Sequence, residues 1–164
     1  MNNGRIILTT LCYIKHENKY LMLLRNKKEN DLNEGKWIGV GGKFLDGETP
    51  EECLKREVYE ETGLTLSKYL FNGVIRFISD SWDNEDMYLY TGLEFSGELI
   101  ECNEGTLKWI DEERVMSLNL WEGDRLFMNE LIAGKSSLFM RLCYEGDTLV
   151  ESKVYDSLED MNND

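Results

Sequence analysis

Apolar and polar residues alternate over several short segments of the chain, with β-branched and aromatic residues at the apolar positions. This pattern predicts strands at residues 6–15 and 20–25, joined by a polar turn around residues 16–18. The same pattern predicts further strands in the second half of the chain, at residues 69–79, 87–95, 107–110, 136–144 and 148–155. The first segment is apolar enough to be a buried strand.

The clearest helix predicted by the sequence covers residues 50–62. Thr49 is suited to the N-cap, and Pro50 takes the first helical position, where its missing N–H costs nothing. Glu52 follows the cap by three residues and completes a capping box. Gly63 is placed to end the helix in a left-handed conformation.

The remaining pattern predicts a single domain. A second helix is expected at residues 121–133, ending at Gly134, and the acidic segment 80–86 is expected to be a loop. We find no internal repeat or low-complexity linker, so residues 1–155 are expected to form one domain, with a frayed polar tail at residues 156–164. The simplest packing is an α+β fold, with one mixed sheet flanked by helices.

Charge and histidine content exclude several classes of function. The 164 residues include 18 Lys and Arg against 32 Asp and Glu, which gives a net charge of −14. Such a chain repels phosphates, so we expect no nucleic-acid polymer as a partner, and a polyanionic substrate would need a metal ion. The single histidine, His16, lies in a predicted turn, which argues against a Ser-His-Asp triad or a His-rich zinc site. Carboxylates, lysines or tyrosines are left to carry the chemistry.

The cysteines indicate a reducing compartment. The chain has four cysteines, far apart and without a C-x-x-C pair, which is typical of packed thiols in a cytoplasmic protein. No apolar run approaches the 18 or more residues expected of a membrane span, so we expect no membrane association. The sequence leaves the oligomeric state open.

Three glutamates are predicted to share one face of the first helix. Glu57, Glu60 and Glu61 are spaced by three and four residues, beside an apolar stripe of Leu54 and Val58. Like charges so placed repel one another unless a cation neutralises them, and hard oxygen ligands suit Mg²⁺ or Mn²⁺. Taken alone, this string is more often a solvated acidic helix face.

The residues before the helix change that balance. Gly41, Gly42 and Lys43 end a strand-like run, where glycines let the backbone approach a ligand and a lysine can reach a phosphate. Together with the helix they match the pattern G-x5-E-x7-R-E-U-x-E-E-x-G-U, with U apolar, at every specified position. The matching residues are Gly42, Glu48, Arg56, Glu57, Val58, Glu60, Glu61, Gly63 and Leu64. From average residue usage, a chance match at one start is on the order of 10⁻⁹.

The sequence therefore resembles the Nudix hydrolase family. The resemblance implies an α/β/α sandwich and metal-dependent hydrolysis of a nucleoside diphosphate linked to another group. It implies metal ligands at Glu57, Glu60, Glu61 and the carbonyl of Gly41, with Arg56 and Glu48 in support. A general base outside the motif is also implied.

For that base we expect Glu104, with Glu101 and Glu60 as alternatives. Bound metal ions would neutralise the substrate phosphates and polarise a water molecule for in-line attack on phosphorus. The expected cofactor is Mg²⁺, with Mn²⁺ possible.

Two further segments resemble the MutT-type members that hydrolyse purine nucleoside triphosphates. One is residues 35–43, in which Trp37 is a candidate substrate-binding residue, and the other is residues 121–124. In the second segment the resemblance implies that Trp121 stacks on the base and that Asp124 binds its edge. Gly123 stands where a second acidic residue would be, and Ile38 replaces an amide residue.

Several of these residues have simpler interpretations. Trp37 and Trp121 could be core aromatics at the ends of a strand and a helix. Phe77 and Met87 could line a base pocket, although such strand residues are more often simply buried. For Lys43, directly after the two glycines, a phosphate contact is favoured over a solvated side chain.

The expected function is a metal-dependent pyrophosphohydrolase for purine nucleoside triphosphates. An oxidised purine such as 8-oxo-dGTP would give a nucleoside monophosphate and pyrophosphate, which would cleanse the nucleotide pool. One alternative is a Nudix pyrophosphatase acting on ADP-ribose or another nucleoside diphosphate derivative. A second alternative is a domain that senses a nucleotide without turnover, although such a binder has no need of a carboxylate cluster.

Overall fold

One mixed sheet runs through the molecule. The computed structural model describes residues 5–164, so residues 1–4 of the expected domain lie outside the described part. Within residues 5–164 nine strands form one sheet, in the order β3-β2-β1-β6-β5-β8-β9, with β4 paired to β1 and β7 paired to β2. The strands are β1 (Ile6–His16), β2 (Lys19–Arg25), β3 (Trp37–Ile38), β4 (Val40–Lys43), β5 (Thr65–Ser79), β6 (Asn84–Ser96), β7 (Gly105–Asp111), β8 (Leu138–Glu145) and β9 (Thr148–Tyr155). The helices are α1 (Pro50–Thr62), α2 (Glu112–Val115), α3 (Glu122–Ile132) and α4 (Leu158–Asn162).

The two longest helices lie on opposite faces of the sheet. Strands β1 and β6 are parallel, as are β5 and β8, while the other pairs are antiparallel. Helix α1 buries Leu54 and Val58 in one apolar cluster, and α3 buries Phe127 and Met128 in a second one. The result is a layered α/β/α arrangement. None of the helices within residues 5–164 has the length and hydropathy that crossing a bilayer would require.

Helix α1 has the bounds and caps that the sequence predicts. The Thr49 hydroxyl accepts a hydrogen bond from the Glu52 amide at 3.1 Å, and the Glu52 carboxylate accepts one from the Thr49 amide at 3.0 Å. Gly63 has φ of +80° and donates its N–H to the Tyr59 carbonyl at 2.8 Å. The start and end of this helix are therefore fixed by local hydrogen bonds.

Strands β5 and β6 are longer than the alternation predicts, and the segment 80–86 is only partly a loop. Strand β6 begins at Asn84, whose side-chain oxygen accepts a hydrogen bond from the Ser79 amide at 3.1 Å. Asp86 pairs across the sheet with Arg76, which donates two hydrogen bonds to it at 2.7 and 2.9 Å. Polar residues can occupy these strand positions because their partners on β5 satisfy them.

The expectation that residues 156–164 fray is wrong. Ser157 caps α4 by accepting a hydrogen bond from the Asp160 amide at 3.1 Å, and Met161 is buried. The Asp164 carboxylate accepts a hydrogen bond from Lys153 at 2.7 Å and pairs with Arg141 at 3.4 Å. The helix α2 was also not predicted, because four residues are too few to show a helical period.

Candidate active site

A cavity of about 550 Å³ opens where strands β1, β4 and β6 meet the start of α3 and the middle of α1. Its lining divides into two groups of side chains. We call the first the carboxylate end, lined by Arg25, Gly41, Gly42, Glu57 and Glu104. We call the second the aromatic end, lined by Phe77, Glu85, Met87, Trp121, Asp124 and Tyr144.

At the carboxylate end, Glu57 lies directly against the backbone of β4. A Cβ atom on Gly42 would stand 2.5 Å from the carboxyl carbon of Glu57, so a larger residue at this position would displace the Glu57 carboxylate. The Glu57 carboxylate also accepts a hydrogen bond from Arg56 at 2.7 Å. The glycine and the glutamate of the motif are thus spatial neighbours.

Glu61, four residues after Glu57 on α1, is buried. Its carboxylate accepts a hydrogen bond from the Gly41 amide at 3.3 Å. The pKa of Glu61 is raised to about 9, mainly by burial and then by the charges of Glu104 and Glu57, against smaller opposing effects of the Gly41 hydrogen bond and of Arg25. Three carboxyl groups therefore crowd together with too little positive charge to balance them.

Glu60 lies apart from this group. Its side chain is 57% exposed and accepts a hydrogen bond from Arg56 at 3.1 Å. Because one guanidinium draws Glu57 and Glu60 toward itself while Glu61 turns to Gly41, the three glutamates do not converge. Among residues 5–164, no three acidic, Cys or His side chains are arranged ready to hold a metal ion.

The donor set at the carboxylate end nevertheless fits a hard divalent cation. Glu57, together with Glu60 and Glu61 beside it, supplies carboxylates on neighbouring turns of α1, and their mutual repulsion falls when a cation binds. Burial and the charges of Glu104 and Glu57 raise the pKa of Glu61, so a bound cation would favour its ionised form. Residues that would hold a cation are thus present, although their side chains pair with Arg56 and Gly41 here.

Arg56 joins α1 to the loop that precedes it. Its guanidinium donates to Glu48 at 2.7 and 3.0 Å and to the Lys43 carbonyl at 3.0 Å. The Glu48 carboxylate also accepts a hydrogen bond from the Leu45 amide at 2.9 Å. Hydrogen bonding to Arg56 is the main cause that lowers the pKa of Glu48 to about 2. Both residues therefore position the site from outside the cavity lining.

The structure separates the three candidates for the general base. Glu104 lines the cavity and pairs with Arg25 at 3.6 Å. Glu101 is 91% exposed and pairs with Lys27 at 3.7 Å, and Glu60 points toward solvent. Of the three, only Glu104 lies where a reacting group could meet it.

At the aromatic end, Trp121 is held from two sides. Its indole N–H donates to the Asn33 side chain at 2.8 Å, and the Lys36 ammonium lies 4.9 Å from its ring. Tyr144 packs edge-on against it at 5.8 Å. Trp121 is therefore a fixed, partly exposed wall of the cavity.

Asp124 lies in the first turn of α3 and is buried at the same end. Its pKa is raised to about 7, mainly by burial and then by the charge of Glu85, against a smaller opposing effect of Lys36. Phe77 and Met87 line the cavity beside it, as the base-pocket interpretation expects, and Lys43 lines its rim.

Trp37 does not take the place that the substrate-binding interpretation gives it. It packs against the apolar cluster that contains Phe127, and its amide donates to the Asn119 carbonyl at 3.0 Å. The simpler interpretation of Trp37 as a core aromatic therefore fits the structure, and the neighbouring Ile38 is the residue that lines the cavity.

Gly123 has no room for an acidic side chain. A Cβ atom there would stand 2.7 Å from both the Tyr144 hydroxyl and a methyl group of Leu142. Its amide donates to the Tyr144 hydroxyl at 2.8 Å. The glycine that replaces an acidic residue at position 123 is therefore explained by the close packing of α3 on β8.

Several cavity residues were not predicted from the sequence, although the sequence carries a signal for one of them. Thr9, Asn33, Trp82, Glu85 and Tyr144 all line the cavity. Glu85 lies two residues before Met87 and therefore on the same face of β6. Extending the predicted strand by three residues would have placed it in the base pocket.

Comparison with known proteins decides the family. Residues 6–131 match the NUDIX domain. The chain belongs to the Nudix family. It is 30% identical over 140 residues to the oxidized purine nucleoside triphosphate hydrolase of Danio rerio, covering 85% of this chain and 89% of that protein. The protein of the same name in Mus musculus is 29% identical over 69% of this chain and 73% of its own length.

The fold comparison agrees with this assignment. The MutT protein of Bacillus halodurans superposes with a TM-score of 0.82 at 24% identity, covering 91% of this chain and 97% of that one. This confirms the predicted α+β sandwich, and the family match confirms the predicted class of enzyme, a Nudix hydrolase. Nudix hydrolases act on nucleotide substrates and generally use divalent metal ions.

Proposed function

We propose that this Nudix hydrolase is a pyrophosphohydrolase of purine nucleoside triphosphates. Its favoured substrates would be oxidised purines such as 8-oxo-dGTP, and its products a nucleoside monophosphate and pyrophosphate. The observation that carries the proposal is the single cavity that joins the carboxylate end to the aromatic end. One nucleotide can then place its phosphates at the first end and its base at the second.

Four groups would hold the metal at the carboxylate end, namely the carboxylates of Glu57, Glu60 and Glu61 and the carbonyl of Gly41. Mg²⁺ is the expected ion and Mn²⁺ is compatible with the same oxygens. When bound, the ion supplies charge neutralisation for the phosphates and activation of water. Lys43, at the rim of the cavity, is placed to contact a phosphate oxygen.

The protein's own residues complete the reaction. Glu104 accepts the proton of the attacking water, and its pairing with Arg25 orients the carboxylate. Arg56 and Glu48 keep α1 fixed to the loop after β4. Through that contact they hold Glu57 against Gly42.

At the aromatic end, Trp121 and Phe77 bind the faces of the base and Asp124 binds its edge. Stacking on one aromatic side chain contributes about 1–3 kcal/mol for other nucleotide-binding proteins. The names of the Danio rerio and Mus musculus relatives support a purine triphosphate as the substrate. The four free cysteines, three of them buried, suit a role in the cytoplasm, where the enzyme would remove damaged nucleotides from the pool.

Hydrolysis of a nucleotide panel with Mg²⁺ tests the proposal. We expect pyrophosphate and a nucleoside monophosphate from 8-oxo-dGTP, with a higher kcat/KM than for dGTP or ADP-ribose. Faster cleavage of ADP-ribose would support the pyrophosphatase alternative instead. Tight binding of nucleotides with no turnover in Mg²⁺ or Mn²⁺ would contradict both and indicate a sensing domain.

A further inference from the structure

A second carboxyl group, that of Glu85, faces the aromatic end from the sheet. Glu85 lies near the start of β6, opposite Phe77 of β5, and lines the cavity. The Thr9 hydroxyl donates a hydrogen bond of 2.6 Å to its carboxylate. Because Thr9 lies on the neighbouring strand β1, the carboxylate is held in place by the sheet itself.

Glu85 and Asp124 are electrostatic neighbours that come from different elements. The charge of Glu85 is among the causes that raise the pKa of Asp124. Lys43 is the cation that acts on Glu85, and burial is the main cause that raises the Glu85 pKa. The aromatic end thus holds two carboxyl groups, those of Asp124 and Glu85. Helix α3 supplies only the first, because packing at Gly123 leaves no room for a second acidic side chain there.

Two carboxyl groups on one cavity wall suit a ligand edge that is rich in donors. An ionised carboxylate only accepts hydrogen bonds, and donors on a bound base favour the ionised form of a carboxyl group. Guanine and its oxidised forms present N1–H and the 2-amino group side by side, whereas adenine presents the acceptor N1 beside its amino group. A buried acceptor left facing another acceptor is destabilising, since neither is solvated.

We propose that Glu85 is a specificity-determining residue that, together with Asp124, selects purines with adjacent N–H donors, guanine and oxidised guanine, over adenine. This inference rests on the proposed function, because it needs the base to lie at the aromatic end. A merely structural Glu85 would bind Thr9 and affect all bases alike.

Two substitutions of Glu85 with a matched control test the inference. Glu85→Gln keeps the shape and can still accept from Thr9, but it adds an N–H donor, and Glu85→Met removes all polar atoms. Glu94→Gln is the control, because Glu94 lies on the same strand, is exposed, and pairs with Lys68 at 3.6 Å outside the cavity. Each protein is assayed with dGTP, dITP and dATP in Mg²⁺.

We expect Glu85→Gln to lower kcat/KM for dGTP by about 10- to 100-fold while that for dATP stays equal or rises. The control should leave both unchanged. The dITP value locates the donor: a smaller loss than for dGTP assigns the 2-amino group to Glu85, and an equal loss assigns N1–H. An unchanged ratio of dGTP to dATP in Glu85→Gln and Glu85→Met, whatever the absolute rates, overturns the inference.

Thr9→Val and a binding assay keep the test decisive if a Glu85 variant folds poorly or turnover is absent. Thr9→Val keeps the carboxylate but frees it, so we expect the ratio of dGTP to dATP to fall less than in Glu85→Gln. Calorimetry with dGMP and dAMP ranks the bases without hydrolysis. If the wild type binds dGMP more tightly than dAMP, loses that preference in Glu85→Gln and hydrolyses no triphosphate, only the proposed function is refuted. Equal binding of dGMP and dAMP by the wild type refutes the Glu85 inference.

Discussion

The guanidinium of Arg56 contacts three carboxylates on two segments, those of Glu48, Glu57 and Glu60. An acidic helix face of this kind would repel itself, and one cation on the same helix offsets much of that repulsion. Two hydrogen bonds to Glu48 fix the position of the Arg56 guanidinium, so Arg56 would stay in place if Glu57 or Glu60 moved. In the proposed metal site, the metal ion and Arg56 would therefore share the carboxylate of Glu57.

Replacing Glu57 tests the proposed metal site most directly. We expect Glu57→Gln to lower kcat at saturating Mg²⁺ by about 100-fold or more. Substituting residues that only hydrogen-bond to metal ligands already lowers metal affinity or activity by about 10–100-fold in other enzymes. The fold should survive. The neutral side chain loses the ion pair with Arg56, but it also removes the repulsion with Glu61, and the two effects offset each other. Steady-state kinetics and thermal unfolding measure the changes in kcat and in stability.

Glu113→Gln is the control for Glu57→Gln. Glu113 lies on α2, is exposed, and is outside the cavity lining. Its substitution should change neither kcat nor the unfolding midpoint. Full activity in Glu57→Gln would place the metal site elsewhere.

The low pKa of Glu48 predicts acid sensitivity. The folded pKa is about 2 against an ordinary value of 4.5, so the native state binds this proton less well than the unfolded state does. The stabilisation is complete above pH 4.5 and is lost as the pH falls toward 2. We expect the unfolding free energy of Glu48→Gln, measured in urea, to fall less steeply over this range than that of the wild type. Parallel curves would contradict the prediction.

The effect of pH on stability through Asp124 is opposite in sign to that through Glu48. The folded pKa of Asp124 is raised from 3.8 to about 7, by burial first and then by Glu85, so the native state binds this proton more tightly than the unfolded state. That contribution to stability is complete below pH 3.8 and is lost as the pH rises through 7. Asp124→Asn should therefore gain stability relative to the wild type between pH 5 and pH 8. Thermal unfolding at the two pH values measures the difference, and a constant difference would refute it.

At the scale of elements, the site depends on how closely β4 approaches α1. A methyl group on Gly42 would collide with the Glu57 carboxylate. We expect Gly42→Ala to reduce kcat through displacement of Glu57, with little loss of stability because the collision is with a side chain. The double variant with Glu57→Gln should then be hardly worse than Glu57→Gln alone. Additive losses would mean that Gly42 acts independently.

The elements that the sequence predicts well are those defined by local signals. Helix α1 was predictable to the residue because its cap, its proline and its final glycine all lie within its own segment. The start of β6 was not, because Asn84 and Asp86 become acceptable strand residues only through Ser79 and Arg76 on the neighbouring strand. Glu85 was overlooked for the same reason.

The site shows the same division between local and long-range signals. The spacing of the motif predicts which glutamates share a helix face. It does not predict that Arg56 draws Glu60 outward, nor that Trp37 faces the core while Trp121 lines the cavity. Those outcomes depend on which elements pack together, and residues distant in the chain decide that.

At the scale of the whole molecule, the net charge of −14 is distributed unevenly. Much of it is exposed, but Glu61, Asp124 and Asp86 are buried. Asp86 is paired with Arg76, whereas Glu61 and Asp124 have strongly raised pKa values. The buried carboxyl groups without a matching cation are thus concentrated around the cavity, which is where a nucleotide and its metal ion would bring compensating groups.

The C-terminal helix α4 is part of the folded unit and should contribute to its stability without touching the chemistry. Met161 is 2% exposed, and Asn162 accepts a hydrogen bond of 2.7 Å from Arg76. Removing a buried methionine side chain costs about 2–5 kcal/mol in other proteins. We expect Met161→Ala to lower the unfolding free energy by an amount in that range, measured in urea. The variant should keep its kcat at temperatures where it is folded, because Met161 lies outside the cavity lining. Asn163→Ala, at an exposed neighbouring position, is the control, and a Met161→Ala variant as stable as that control would show that the tail packs too loosely to matter.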